Sequence, residues 1–192
     1  LTTGVLESYI TNSNDTTWSL LQSTATVPVN AWTHVVACRS SGTLRLFMNG
    51  VLVGSGASST DITIGATNTF YIGNRSGGTD SPQQTFNGYL SNLRVVKGTG
   101  LYTSAFTPST TPLTAVSGTS LLTCQSNRLI DNSTRNAAIT KGGDTKVKSV
   151  NPFRQNTGKS LYFDGSGDYL VTPNSPNLNP GSGSFTIEFG EF

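Results

Sequence analysis

The stretch W-T-H-V-V-A-C-R-S-S-G-T-L-R-L-F-M-N-G-V-L-V-G-S-G, residues 32–56, decides the fold class. From 32 to 39 the residues alternate. Trp32, His34, Val36 and Cys38 share one face, and Thr33, Val35, Ala37 and Arg39 share the other. That period of two belongs to a strand. Asn49-Gly50 is the strongest short hairpin signal, because both central positions of a type I′ turn need positive φ. A two-residue loop there pairs Met48 with Val51 and Leu46 with Val53 on one face, with Phe47 opposite Leu52 on the other.

Working outward, further strand-like runs recur at the spacing of a sandwich: 61–65, 69–74, 88–98, 119–125 and 137–142. Upstream, 4–11 and 17–24 read as two arms of a hairpin around Asn12–Asp15. The Ser/Thr/Pro-rich segment 99–118 reads as an ordered surface crossing anchored by Tyr102 and Phe106. No run of ten or more residues keeps a 3.6-residue period. The sequence predicts an all-β protein of two packed antiparallel sheets.

Composition agrees with this and narrows the function. The 192 residues suit one domain, able to bury roughly 70% of its unfolded surface. Only 11% are charged and 21 are Gly, while Ser and Thr exceed a quarter of the chain, a composition of short strands and turns. A net charge of +2 without clustered Lys and Arg argues against nucleic-acid binding. No apolar run is long enough for a membrane-spanning helix, and no signal-peptide pattern is visible. Cys38 and Cys124 lie in apolar strand-like runs and read as buried thiols, although spacing alone leaves a disulfide open.

Several consecutive pieces resemble the laminin-G-like, concanavalin A-like lectin/glucanase superfamily. They are Trp32, His34, Val35, Arg39, Gly42, Leu44, Leu46, Phe47, Asn49 and Gly50, then FYIGN at 70–74 and FNGYLSNLRVVKG at 86–98. The later GLYTSAFTPSTTPL and SLLTCQSNRLIDNST are similar to the variant found in bacteriophage and marine viral structural proteins. The resemblance implies a jelly-roll sandwich and a virion or extracellular setting. As partners it implies further copies of the chain, other virion proteins or cell-surface glycans.

The order of the ends departs from that family. SLYFDGSGDYL at 160–170 and FTIEF at 185–189 normally open the domain, and here they come last. The expected organisation is therefore a main sandwich over 1–150, a linker over 151–159, and opening strands over 160–192. Two arrangements satisfy this order: a permuted domain closed by its own last strands, or a tail completing a neighbouring copy. In either case Leu161, Phe163, Tyr169, Phe185, Ile187 and Phe189 must be buried against a sandwich.

The chemistry-bearing residues point away from catalysis. His34 is the single histidine, and the resemblance gives it a structural place. Glycanases of this fold use acidic residues alternating along one strand, whereas Glu188 and Glu191 have odd spacing and fall on opposite faces. Glu7 stands alone. Lys159 in GKS at 158–160 is not a phosphate-loop lysine, because the required first Gly is Phe153 and a strand follows. In DGSGD, Asp164 and Asp168 are metal candidates for calcium, but an EF-hand would need Gly and Glu where Tyr169 and Ser175 stand. Their match is to a turn between two strands rather than to a ligand motif. Sequons at Asn14, Asn74 and Asn132 match what chance supplies in so Ser/Thr-rich a chain. Trp18, Tyr9, Tyr71, Tyr89 and Tyr102 are available for sugar stacking or for packing. The polar loops at 12–15, 74–84 and 127–136 lie where binding on a sandwich would sit.

Overall fold

A computed structural model describes residues 4–11, 18–62, 69–75, 85–153 and 158–192, with the side chain of Trp18 outside the description. Among the described residues, three antiparallel sheets form. The first is the hairpin of β1 (Val5–Thr11) and β2 (Trp18–Thr26), in which Tyr9 lies opposite Leu20. The large sheet begins with β3 (Thr33–Ser40), β4 (Thr43–Met48) and β5 (Val51–Ala57). A small sheet contains β6 (Phe70–Ile72). Next come β7 (Asn87–Lys97) and β8 (Thr119–Thr123) in the large sheet, then β9 (Thr140–Gly142) in the small one. The chain continues through β10 (Lys146–Lys148), β11 (Ser160–Asp164), β12 (Tyr169–Thr172) and β13 (Phe185–Glu191). The large sheet runs β10-β11-β7-β13-β3-β4-β5, and the small sheet runs β6-β12-β9.

The hairpin at Asn49-Gly50 forms with Met48 opposite Val51 and Phe47 opposite Leu52. Beyond that pair the register shifts, so Leu46 faces Gly54 rather than Val53. The bulge brings Gly54 beneath β2, where a Cβ would come within 2.9 Å of the Gln22 carbonyl oxygen. Leu46, Met48 and Val53 still pack together under Leu6 and Leu21, so the expected face survives the shifted register.

β10 was not expected from the sequence. Its three residues carry one apolar side chain between Lys146 and Lys148, too little for a periodic signal. Those exposed lysines guard a sheet edge against pairing with other chains. The run expected at 61–65 is described only to Ile62, which bridges to Gly181; the rest lies outside the described residues, as does the loop at 12–15. Of the segment 151–159, residues 154–157 are likewise outside.

β7 is long enough to hold two partners on one side. β11 pairs with its first residues and β8 with its last, separated at Asn92, whose φ is 56°. β13 takes its other side and pairs equally with β3, which makes the chain's last strand a central one. Between the large and small sheets lies the main core, including Ile72, Leu90, Leu121, Phe163 and Leu170. Phe163 is fully buried, and Gly73 at φ +83° is shaped to it, since any Cβ there would enter its ring. Losing that ring would cost about 3–5 kcal/mol. Leu161 and Phe185 are buried too, while Tyr169, Ile187 and Phe189 are half-buried. All the tail residues expected to need a sandwich therefore pack within this chain.

The opposite face of the large sheet is covered by the crossing at 99–118. Tyr102 and Phe106 stack at 3.8 Å between ring centroids and pack on Val36, Cys38 and Phe47. Phe106 N–H donates to the Gly50 carbonyl, and a Cβ on Gly50 would meet the Phe106 carbonyl oxygen. The hairpin turn thus needs glycine twice: for its φ of +79° and for the segment docked on it.

Candidate functional site

Alternation along FTIEFGE sends Thr186, Glu188 and Gly190 to the face under the crossing, and Ile187, Phe189 and Glu191 toward the other sheet. Because β13 is central, Glu188 is fully buried. A lone buried carboxylate would be costly, and this one is saturated. Arg94, its cross-strand neighbour on β7, donates from Nε at 2.8 Å and Nη2 at 2.6 Å to Oε1. Oε2 accepts from Tyr102 at 3.0 Å and pairs with His34 Nε2 at 3.2 Å. Arg94 also donates to the Thr114 carbonyl at 2.8 Å, and Thr186 Oγ1 accepts from Leu101 N–H at 2.9 Å. The polar centre therefore ties the crossing to the sheet.

Burial pushes the Glu188 carboxyl up, but the His34 hydrogen bond and the Arg94 guanidinium outweigh it and hold the group below its ordinary value. Tyr102 is pushed up to about 12, first by burial and then by the Glu188 charge. The site is an ionised acid held by a neutral phenol donor and a guanidinium. With no exposed surface, that acid cannot reach a glycosidic oxygen. Glu191 lies on the other face of the strand, where burial raises its carboxyl. Glu7, on β1, accepts a hydrogen bond from Gln22. Among the described residues, no two glutamates share a cleft.

The residues Asp164 and Asp168 do come together, and Asp144 joins them from the β9–β10 turn. One oxygen of each lies within 4.8 Å of the others. Carboxylates suit a hard cation such as calcium. Asp168, however, is fully buried and accepts from Asp144 N–H at 2.8 Å and Asp164 N–H at 2.9 Å. Asp164 accepts from Ser166 N–H at 2.7 Å, and Lys146 pairs with Asp144. With the glycines at φ +83° and +70°, the group closes as a clamp between two turns, and Lys146 offsets one of its three carboxylates.

Beside the polar centre a cleft of about 700 Å³ opens between the start of β3, the Asn49 turn, the segment 108–113 and Pro152-Phe153. His34 lines it and touches Phe106 edge-on, but its Nδ1 is buried and has no partner among the described residues. Of the tyrosines weighed for stacking, Tyr9 is the most open, at 60% exposed. Tyr71 packs against Tyr169, Tyr89 against Tyr162, and Tyr102 sits inside. Asn14 lies outside the described residues, Asn74 is buried and Asn132 is exposed. Cys38 and Cys124 are both buried free thiols, and burial pushes Cys124 up to about 12, which makes it inert.

A family model described as the concanavalin A-like lectin/glucanases superfamily matches residues 3–100. The chain belongs to that superfamily. Comparison with curated proteins and with solved structures finds no match. The matched region of this superfamily domain runs from β1 through β7 and contains His34 and Arg94, whereas Tyr102 and Glu188 lie beyond it. Its polar centre therefore joins the matched half to the rest of the chain. The superfamily includes lectins, laminin G-like modules and glycanases, so membership by itself leaves the activity open. Among the described residues no helix is long and apolar enough to cross a membrane.

Proposed function

We propose that this chain is a non-catalytic sandwich module with a structural or adhesive role, in a virion or at an extracellular surface. The observation that carries the reading is the state of Glu188: buried, saturated and occupied in holding the crossing at 99–118. Glycoside hydrolysis needs two accessible carboxyls about 5–10 Å apart across one bond. Glu188, Glu191 and Glu7 are dispersed over separate faces, which supports a binding or scaffolding role. The virion setting rests on the likeness of 100–113 and 120–134 to viral structural segments. Assembly would then run through sheet packing or exchange of the strands in 160–192.

A second reading, glycan adhesion, is favoured by the cleft beside Trp32. It offers an indole, the Thr110 and Thr111 hydroxyls and the Asn49 amide, the mixture that sugar recognition uses. One experiment addresses both. The protein is incubated with a glycan panel, with and without EDTA, and followed for binding and for released product. Saturable binding lost in Trp32→Ala favours the adhesin; no binding, with self-association in sedimentation, favours the structural role. Product release that disappears in Glu191→Gln or Glu7→Gln would overturn the non-catalytic reading.

A further inference from the structure

At one end of the sandwich the two sheets part around a cavity of about 460 Å³. Its walls are apolar and largely aromatic: Phe70, Tyr71, Phe86, Leu90, Ile187 and Phe189. Glu191 also lines it, and its carboxylate has no hydrogen bond or ion pair among the described residues; burial alone acts on it. Glu191 is half-buried, which together with its missing partners sets it apart from the fully buried acids. Glu188, Asp131 and Asp168 each accept from two or more donors. A carboxylate without partners is an unfavourable thing to place beside so much apolar surface, and a cation in the cavity would relieve it.

We propose that this cavity binds an organic monocation, an ammonium group bearing an apolar body, with Glu191 and the aromatic faces taking the charge. Ring faces attract ammonium groups through their quadrupoles, and the adjacent apolar walls suit the body of the ligand. A cavity of this size falls within the range of small-molecule sites. Arg75 lines the rim, is exposed, and makes interactions of its own. Glu191 is the one carboxylate among the described lining residues, and a single negative charge matches a monocation rather than a diamine.

The test is a methyl-detected NMR titration of the whole chain with benzyltrimethylammonium and with its uncharged carbon isostere, neopentylbenzene. The methyls of Ile72, Leu90, Leu93 and Ile187 should shift saturably with the cation, while those of Leu21 and Val27 stay still. The isostere should bind about tenfold more weakly. In Glu191→Gln that preference should vanish. Equal binding of the two probes, shifts that map elsewhere, or no saturable shift would each overturn the proposal. The comparison of probes on the unaltered protein needs no variant, so a folding defect in Glu191→Gln cannot shield it.

Discussion

Glu188 and Glu191 ride on the same strand, and burial penalises the charge of both, yet their electrostatic states are opposite. Glu188 faces the layer beneath the crossing, where Arg94, His34 and Tyr102 converge on it, and it stays ionised. Glu191 faces the gap between the sheets, where nothing offsets desolvation. An odd spacing on a strand thus turns two identical side chains into a structural tie and a half-buried carboxyl with no protein partner among the described residues. Environment, rather than residue type, sets the role of a carboxylate.

The largest break in this comparison is Glu188→Ala. It strands the Arg94 guanidinium in a buried layer, and urea denaturation should show a loss of about 3–5 kcal/mol. The double variant Glu188→Gln with Arg94→Met should recover part of that loss, because replacing both charges removes the stranded one. A full loss in the double variant would mean that the centre acts through packing alone.

Next in size is the response to acid. The folded value of Glu188 is depressed, so its contribution is present above the unfolded value near 4.3 and is lost as pH falls through the folded value. Glu191 is raised, so its contribution has the opposite sense. It is present below about 4.3 and lost as pH rises through the folded value. Melting curves across pH should therefore show Glu191→Gln above the unaltered protein at neutral pH and level with it near pH 4. The gap should be about 1 kcal/mol or less. Tyr102→Phe, which removes one donor to Glu188, should cost about 1 kcal/mol and raise the midpoint of acid unfolding. An unchanged acid midpoint would show that Arg94 and His34 suffice to hold the carboxylate.

The fold was legible where the signal was local. Asn49-Gly50 announces its own turn, and the period of two in β3 assigns Val36 and Cys38 to one face and Val35 to the other. The bulge at Leu46 was hidden, because what presses on Gly54 is β2, remote in the chain. Odd spacing correctly separated Glu188 from Glu191 but could not supply partners. Arg94 becomes a neighbour of Glu188 only once β13 lies beside β7, and Tyr102 only once the crossing returns over that sheet. Asp144 was missed for the same reason: it meets Asp168 through the meeting of two turns, with no spacing pattern to announce it. β10 left too faint an apolar trace to be read.

The central place of β13 also sets the order in which the molecule can be completed. His34 and Glu188 are 154 positions apart, yet the large sheet is continuous only when their strands lie side by side. Until then β3 and β7 each present an unpaired edge, and closing so long a loop is slow. During that interval a β13 from another copy has the same complementarity as the chain's own. Refolding at high concentration should therefore yield intertwined dimers, and refolding at high dilution should yield closed monomers. The partition between them is decided by a race and not by the stability of either form.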